Sequence, residues 1–188
     1  LYTLTNANGT KACVTNYGAT LTALLLADRH GKLTDVVLGF DELDDYRRPH
    51  PYFGGIVGRC ANRIANGRFE LDGRGYQLAR NDGDHHLHGG ALGFDRRVWT
   101  AETKDESLHL TLISPDGEEG YPGTVTVQVI YTLDDDDVLS IDMRATTDAP
   151  TLVNLAHHAY WNLAGHDSGS VASHAVRIAA SGYLPVDT

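Results

Sequence analysis

A two-residue alternation on both sides of a charged turn, over residues 124–146, limits what this chain can fold into more than any other feature. Val125, Val127, Val129 and Tyr131 fall on one side, and Thr124, Thr126, Gln128 and Thr132 on the other, with Ile130 as the exception. Successive side chains of a strand point to opposite faces, so the pattern suits a half-buried strand; a helix repeats its apolar residues every three to four positions. Residues 134–137 are all Asp, a turn too charged to bury. The chain returns through Leu139, Ile141, Met143 and Ala145, with Ser140, Asp142, Arg144 and Thr146 opposite. This predicts an antiparallel hairpin with one core face and one polar face.

Weaker versions of the pattern predict strands at residues 11–17, 20–27, 34–38, 98–103, 108–113 and 175–179. Residues 68–71 and 76–79 flank Asp72-Gly73, a strong hairpin signal. Helical spacing is confined to residues 41–47, with Pro49 and Pro51 beyond it. Many short strands with so little helix predict an all-β fold, an antiparallel β-sandwich or barrel. At 188 residues the chain is read as one domain with a sizeable core. Residues 49–66 (PHPYFGGIVGRCANRIAN) do not read as plain sheet, and long irregular connections on a β scaffold often carry function.

The net charge of −10 disfavours a nucleic-acid partner, which needs a clustered Lys/Arg face. No apolar run is long enough to predict a membrane span, and no signal-peptide pattern opens the chain. The two cysteines, Cys13 and Cys60, form neither CxxC nor a disulfide framework, and are read as buried thiols of a reducing cytoplasm. Walker A, GxGxxG, GxSxG and HExxH patterns are absent from the sequence, which disfavours nucleotide cofactors, serine hydrolysis and zincin chemistry.

Reactive groups concentrate in residues 59–64 (RCANRI), 81–90 (NDGDHHLHGG) and 154–165 (NLAHHAYWNLAG). Asn and Arg suit sugar hydroxyls, histidine trades protons near neutral pH, and Tyr and Trp offer flat faces to a pyranose. On a strand His86 and His88 would share a face, as two metal ligands of a cupin do; no Glu follows before Glu102, and a metal is not expected. His85 and His86 are read as structural, and His88 as functional. Of His157 and His158 only one can face a pocket if the segment is extended, and spacing does not choose between them. The adjacent acids Glu118 and Glu119 read as a solvated turn.

Taken together, these motifs resemble the aldose 1-epimerase (galactose mutarotase) family. The resemblance rests on residues 58–64 (GRCANRI), on Asn81 with Leu87-His88-Gly89-Gly90, on Gly93-Phe94-Asp95 and Trp99, on residues 114–123 (SPDGEEGYPG), on residues 154–163 (NLAHHAYWNL) and on residues 183–187 (YLPVD). It implies a galactose-mutarotase-like β-supersandwich that interconverts the α and β anomers of free aldohexoses without cofactor or metal, as a monomer or homodimer. It also implies that Asn62 and Arg63 bind sugar hydroxyls, that His88 binds the sugar and assists ring opening, that His158 is the general acid, and that Tyr160 lines the pocket. Ala156-His157 stands where the family has Asn or Thr-Asn, and Trp161 where Phe is common. The family's general base, a Glu, and a sugar-binding Asp correspond to positions after Thr188. The chain is therefore read as the N-terminal portion of such a fold, truncated at the C-terminus, with a non-catalytic carbohydrate-binding module as the alternative.

Overall fold

The computed structural model describes residues 1–183, so Leu184, Pro185, Val186 and Asp187 of the last matched motif lie outside the described residues. The strands in chain order are β1 (Tyr2–Thr5), β2 (Lys11–Thr15), β3 (Thr20–Ala27), β4 (Leu33–Asp35), β5 (Ile56–Val57), β6 (Arg63–Ile64), β7 (Arg68–Leu71), β8 (Arg74–Gln77), β9 (His86–Leu87), β10 (Thr100–Lys104), β11 (Ser107–Ser114), β12 (Val125–Leu133), β13 (Leu139–Thr147) and β14 (Ala156–His157). The one α-helix among the described residues is α1 (Leu43–Arg47), and no helix there is long and apolar enough to cross a membrane.

Two four-stranded antiparallel sheets carry the fold, in the orders β1-β2-β3-β4 and β10-β11-β12-β13. The alternation decides how they meet. Val125, Val127, Val129 and Tyr131 are fully buried and pack with Leu108 and Leu110 of β11 and with Ala12, Val14 and Leu21 of the first sheet. Phe94 and Trp99 close the same core, with ring centroids 6.0 Å apart in an edge contact. Full burial of each such apolar side chain contributes about 1.5–3 kcal/mol. Leu139, Ile141 and Met143 of β13 pack against this core while staying half-exposed.

The hairpin and the paired strands β10 and β11 form as the sequence predicts, with ends moved by one or two residues. The fold departs from expectation in three places. Residues 175–179 are not a strand: Val176 and Ile178 are exposed, and alternation without a neighbouring strand leaves the backbone unpaired. β1, a strand not among those expected, pairs along β2; its alternation, with Tyr2 and Leu4 packed on the core and Thr3 and Thr5 opposite, runs over only four residues. The stretch 49–66 that read as irregular contains two two-residue strands, β5 and β6, which pair with the equally short β14 and β9. These short ladders hold the candidate site.

Candidate active site

Residues 154–162 run as a seam stitched into two earlier segments. Asn154 bridges Cys60, β14 pairs with β5, the His158 N–H donates to the Gly55 carbonyl at 2.9 Å, and Trp161 bridges Val37. This extended path answers the question that spacing leaves open. His157 points inward, with its ring 6.1 Å from the buried Tyr131 ring, and His158 points to the other side.

There His158 meets His88. The two imidazoles stand nearly perpendicular, 89° between planes, with centroids 5.0 Å apart. Tyr160, two residues on, lies 5.3 Å from His158. His88 follows β9 and leaves the strand in a left-handed conformation, φ +52°. That twist turns it away from the side taken by His86. His86 is buried, held by the Ala79 carbonyl at 2.7 Å and the Tyr121 hydroxyl at 2.7 Å, so the two histidines do not converge as metal ligands. Gly89, at φ +89°, lies so close beneath this turn that a β-carbon would overlap the Gly58 carbonyl oxygen.

Arg63 of β6 and Asn62 just before it reach the same place. The His88 N–H donates to the Asn62 carbonyl at 3.1 Å, and the Asn62 N–H donates to His88 Nδ1 at 3.0 Å. A backbone N–H can only donate, so Nδ1 is unprotonated and the neutral ring carries its proton on Nε2. Burial, then the charges of His158 and Arg63, push the His88 pKa down to about 4, against a smaller opposing effect of Asp82. His88 is therefore a neutral Nε2–H donor at pH 7. Arg63 Nε is anchored by Asp82 at 2.7 Å, which presents an exposed guanidinium beside the pair. The structure thus gathers His88, His158, Tyr160 and Asn62, with Arg63 at the edge.

Tyr52, whose ring lies against both histidines, was missed by the sequence reading; the only signal was its place inside the irregular stretch 49–66. Two expectations need correction. Arg59 shares its motif with Asn62 and Arg63 yet is 2 % exposed, and its guanidinium bonds Ser114, Pro115, Pro122 and Thr151. Glu118 and Glu119 are not a solvated turn: Glu118 pairs with Arg97, and Glu119 accepts the Ala91 and Leu92 N–H groups, because the Gly-rich loop folds back onto residues 89–92. Cys13 is half-buried and Cys60 buried, both as free thiols.

His157 supplies a pH test of this packing. Its Nε2 is buried without a hydrogen-bond partner among the described residues. Burial, with the charge of His158, pushes its pKa from the ordinary 6.5 down to about 4, against the Gly54 backbone. The unfolded chain takes up the proton near pH 6.5 and the folded chain only near 4, so stability is lost as pH falls across that window. Asp95, pushed up to about 6 by burial, works in the opposite direction over its own window, so wild type must be compared with His157→Gln. Unfolding free energies from urea titrations between pH 7 and 4.5 should fall more steeply for wild type, by up to about 1.4 kcal/mol per pH unit. Parallel curves would refute the inward assignment.

A family model described as aldose 1-epimerase matches residues 1–188. Galactose mutarotase of Bos taurus is 49% identical over 174 residues, covering 93% of this chain and 51% of that relative. Aldose 1-epimerase of Escherichia coli (strain K12) is 39% identical over 188 residues, covering 100% of this chain and 54% of that relative. Among solved structures, an aldose epimerase homologue from C. elegans aligns at TM-score 0.82 and 38% identity over 85% of this chain and 50% of that one. Galactose 1-epimerase from Lactobacillus acidophilus aligns at TM-score 0.76 and 37% identity over 86% of this chain and 48% of that one. The chain spans about half the length of the relatives it matches. With its whole length matched and its strands laid out as in those structures, this chain belongs to the aldose 1-epimerase family.

Proposed function

We propose that this protein interconverts the α and β anomers of free aldohexoses, glucose or galactose, by acid/base ring opening and reclosure. The observation that carries the reading is the perpendicular His88–His158 pair, with an Asn, an Arg and a Tyr around it. A carbohydrate-binding module needs hydrogen-bonding groups and aromatic faces, and does not need two imidazoles facing one another.

In this mechanism His158, as imidazolium, gives its proton to the ring oxygen while a carboxylate base removes the anomeric O–H proton. The C1–O5 bond breaks and C1 becomes an aldehyde. Rotation about C1–C2 presents the other carbonyl face, and the same groups run in reverse to close the ring. Protons move and the oxidation state does not change. His88 donates Nε2–H to a sugar oxygen, its Nδ1 fixed by the Asn62 N–H. Arg63 and Asn62 hold hydroxyls and keep the open form in place. The base is assigned to a Glu at a position after Thr188, as the resemblance implies. Cytoplasm is the proposed compartment, supported by the two free thiols.

Polarimetry tests the reading directly. Full-length protein should accelerate the approach of fresh α-glucose or α-galactose to rotational equilibrium over buffer alone. Saturable sugar binding with no acceleration would replace the enzyme by the binding module.

A further inference from the structure

We infer that Tyr52 is a positioning residue of this site, its ring walling the His88 imidazole from water and keeping it square to His158. The inference rests on the site proposed above and extends it to a residue outside its acid/base set.

The backbone supplies the first argument. Tyr52 has φ +61°, a left-handed conformation in which the β-carbon of a bulky residue is crowded. A residue kept there against that crowding is over-determined by its surroundings. Those surroundings are the site itself. The Gly55 N–H donates to the Tyr52 carbonyl at 3.2 Å, closing a four-residue turn. The same turn bonds His158 on both sides: Gly54 N–H to the His158 carbonyl at 3.1 Å, and His158 N–H to the Gly55 carbonyl at 2.9 Å. The turn that sets the direction of Tyr52 therefore also sets the depth of His158.

Side-chain geometry supplies the second. The Tyr52 ring centroid lies 4.6 Å from His88, edge to face, and 5.5 Å from His158. Phe53, next in the turn, packs edge-on to Tyr160 at 5.2 Å. With the His88–His158 contact, three rings form a triangle, and Tyr52 covers a flank of His88 that would otherwise face solvent. Burial, followed by the charge of Asp95, raises the Tyr52 phenol pKa, so the ring stays neutral at pH 7. The charged or titratable groups acting on His88 are His158 and Arg63, which disfavour its protonation, and Asp82, which favours it; burial outweighs all of them. A neutral ring at 4.6 Å contributes to that burial without adding charge.

The test is an NMR titration of the His88 imidazole in the full-length protein, for wild type, Tyr52→Phe and Tyr52→Gly. Glycine accepts φ +61° freely, so Tyr52→Gly removes the ring while relieving the crowding; Tyr52→Asn, also tolerant of that conformation, replaces it should Tyr52→Gly fail to fold. The wild-type midpoint is expected near 4. In Tyr52→Gly it should rise by about one unit or more as water reaches the ring, and Tyr52→Phe should restore the wild-type midpoint. Mutarotation by Tyr52→Gly should then weaken relative to wild type as pH falls from 6.5 toward 4, with circular dichroism at each pH confirming that both proteins remain folded, since stability itself falls over this window. An unmoved midpoint in Tyr52→Gly overturns the inference, and so does a Tyr52→Phe midpoint that moves as far as Tyr52→Gly. A midpoint that shifts in a protein that does not accelerate mutarotation refutes the enzymatic reading and leaves the role of Tyr52 intact.

Discussion

Replacing His158 with Ala should slow mutarotation of α-glucose or α-galactose by the full-length protein about 10²–10⁴-fold, the usual contribution of a positioned proton donor. His158 stands on the exposed side of a seam whose backbone is bonded at Gly54 and Gly55, so removing its side chain leaves those bonds in place. The fold should survive and the chemistry should not. His157→Ala is the contrast. That ring packs toward Tyr131 and has no access to the His88 side, so its loss should lower stability more than rate at neutral pH. Arg63→Ala should act mainly on KM, because its exposed guanidinium is proposed to hold substrate hydroxyls rather than to move a proton. Polarimetry on the three variants, with circular dichroism to confirm folding, separates these roles. A His158→Ala protein working at near wild-type rate would refute the assignment of the acid.

Arg59→Met should destabilise the protein by about 3 kcal/mol or more, because several buried or half-buried oxygens lose their donor at once. Nε donates to Ser114 Oγ at 2.8 Å, and the terminal nitrogens reach the carbonyls of Ser114, Pro115 and Pro122 at 2.7–3.0 Å. The guanidinium carbon also lies 5.6 Å from the centre of the Tyr121 ring. Methionine fills most of the volume but donates nothing, so three carbonyls lose a partner; each buried group left unpaired costs about 1–3 kcal/mol. Arg59 precedes Cys60, which bridges Asn154 at the start of the seam bearing His158. The damage should therefore reach the site, and activity should be lost at lower urea than the midpoint of wild type. A urea midpoint equal to wild type would show that the network is dispensable.

Arg59 and Arg63 mark how far the sequence could be read. Both lie in one motif, RCANRI, with similar chemistry on offer. Nothing in the local pattern says that one guanidinium is sealed under the 114–122 loop and the other exposed beside Asp82. His86 and His88 diverge for a related reason. Two-residue spacing predicts a shared face, but the left-handed turn at His88 breaks the alternation, and that turn depends on Gly89 fitting under a distant carbonyl. Tyr52 was invisible because a lone Tyr in a Pro- and Gly-rich stretch has no period to betray its direction.

By itself the sequence determined the sheet-forming hairpin, the antiparallel all-β class, and three clusters with sugar-directed, proton-trading chemistry. Those properties are local: alternation, turn residues and side-chain type act over a few positions. Tertiary structure decided which histidine of the pair at residues 157–158 faces the site, which arginine is structural, and that Tyr52 joins the two imidazoles. These outcomes depend on contacts between segments far apart in sequence, such as Asn62 with His88, 26 positions on, and β5 with β14, and no local pattern encodes them.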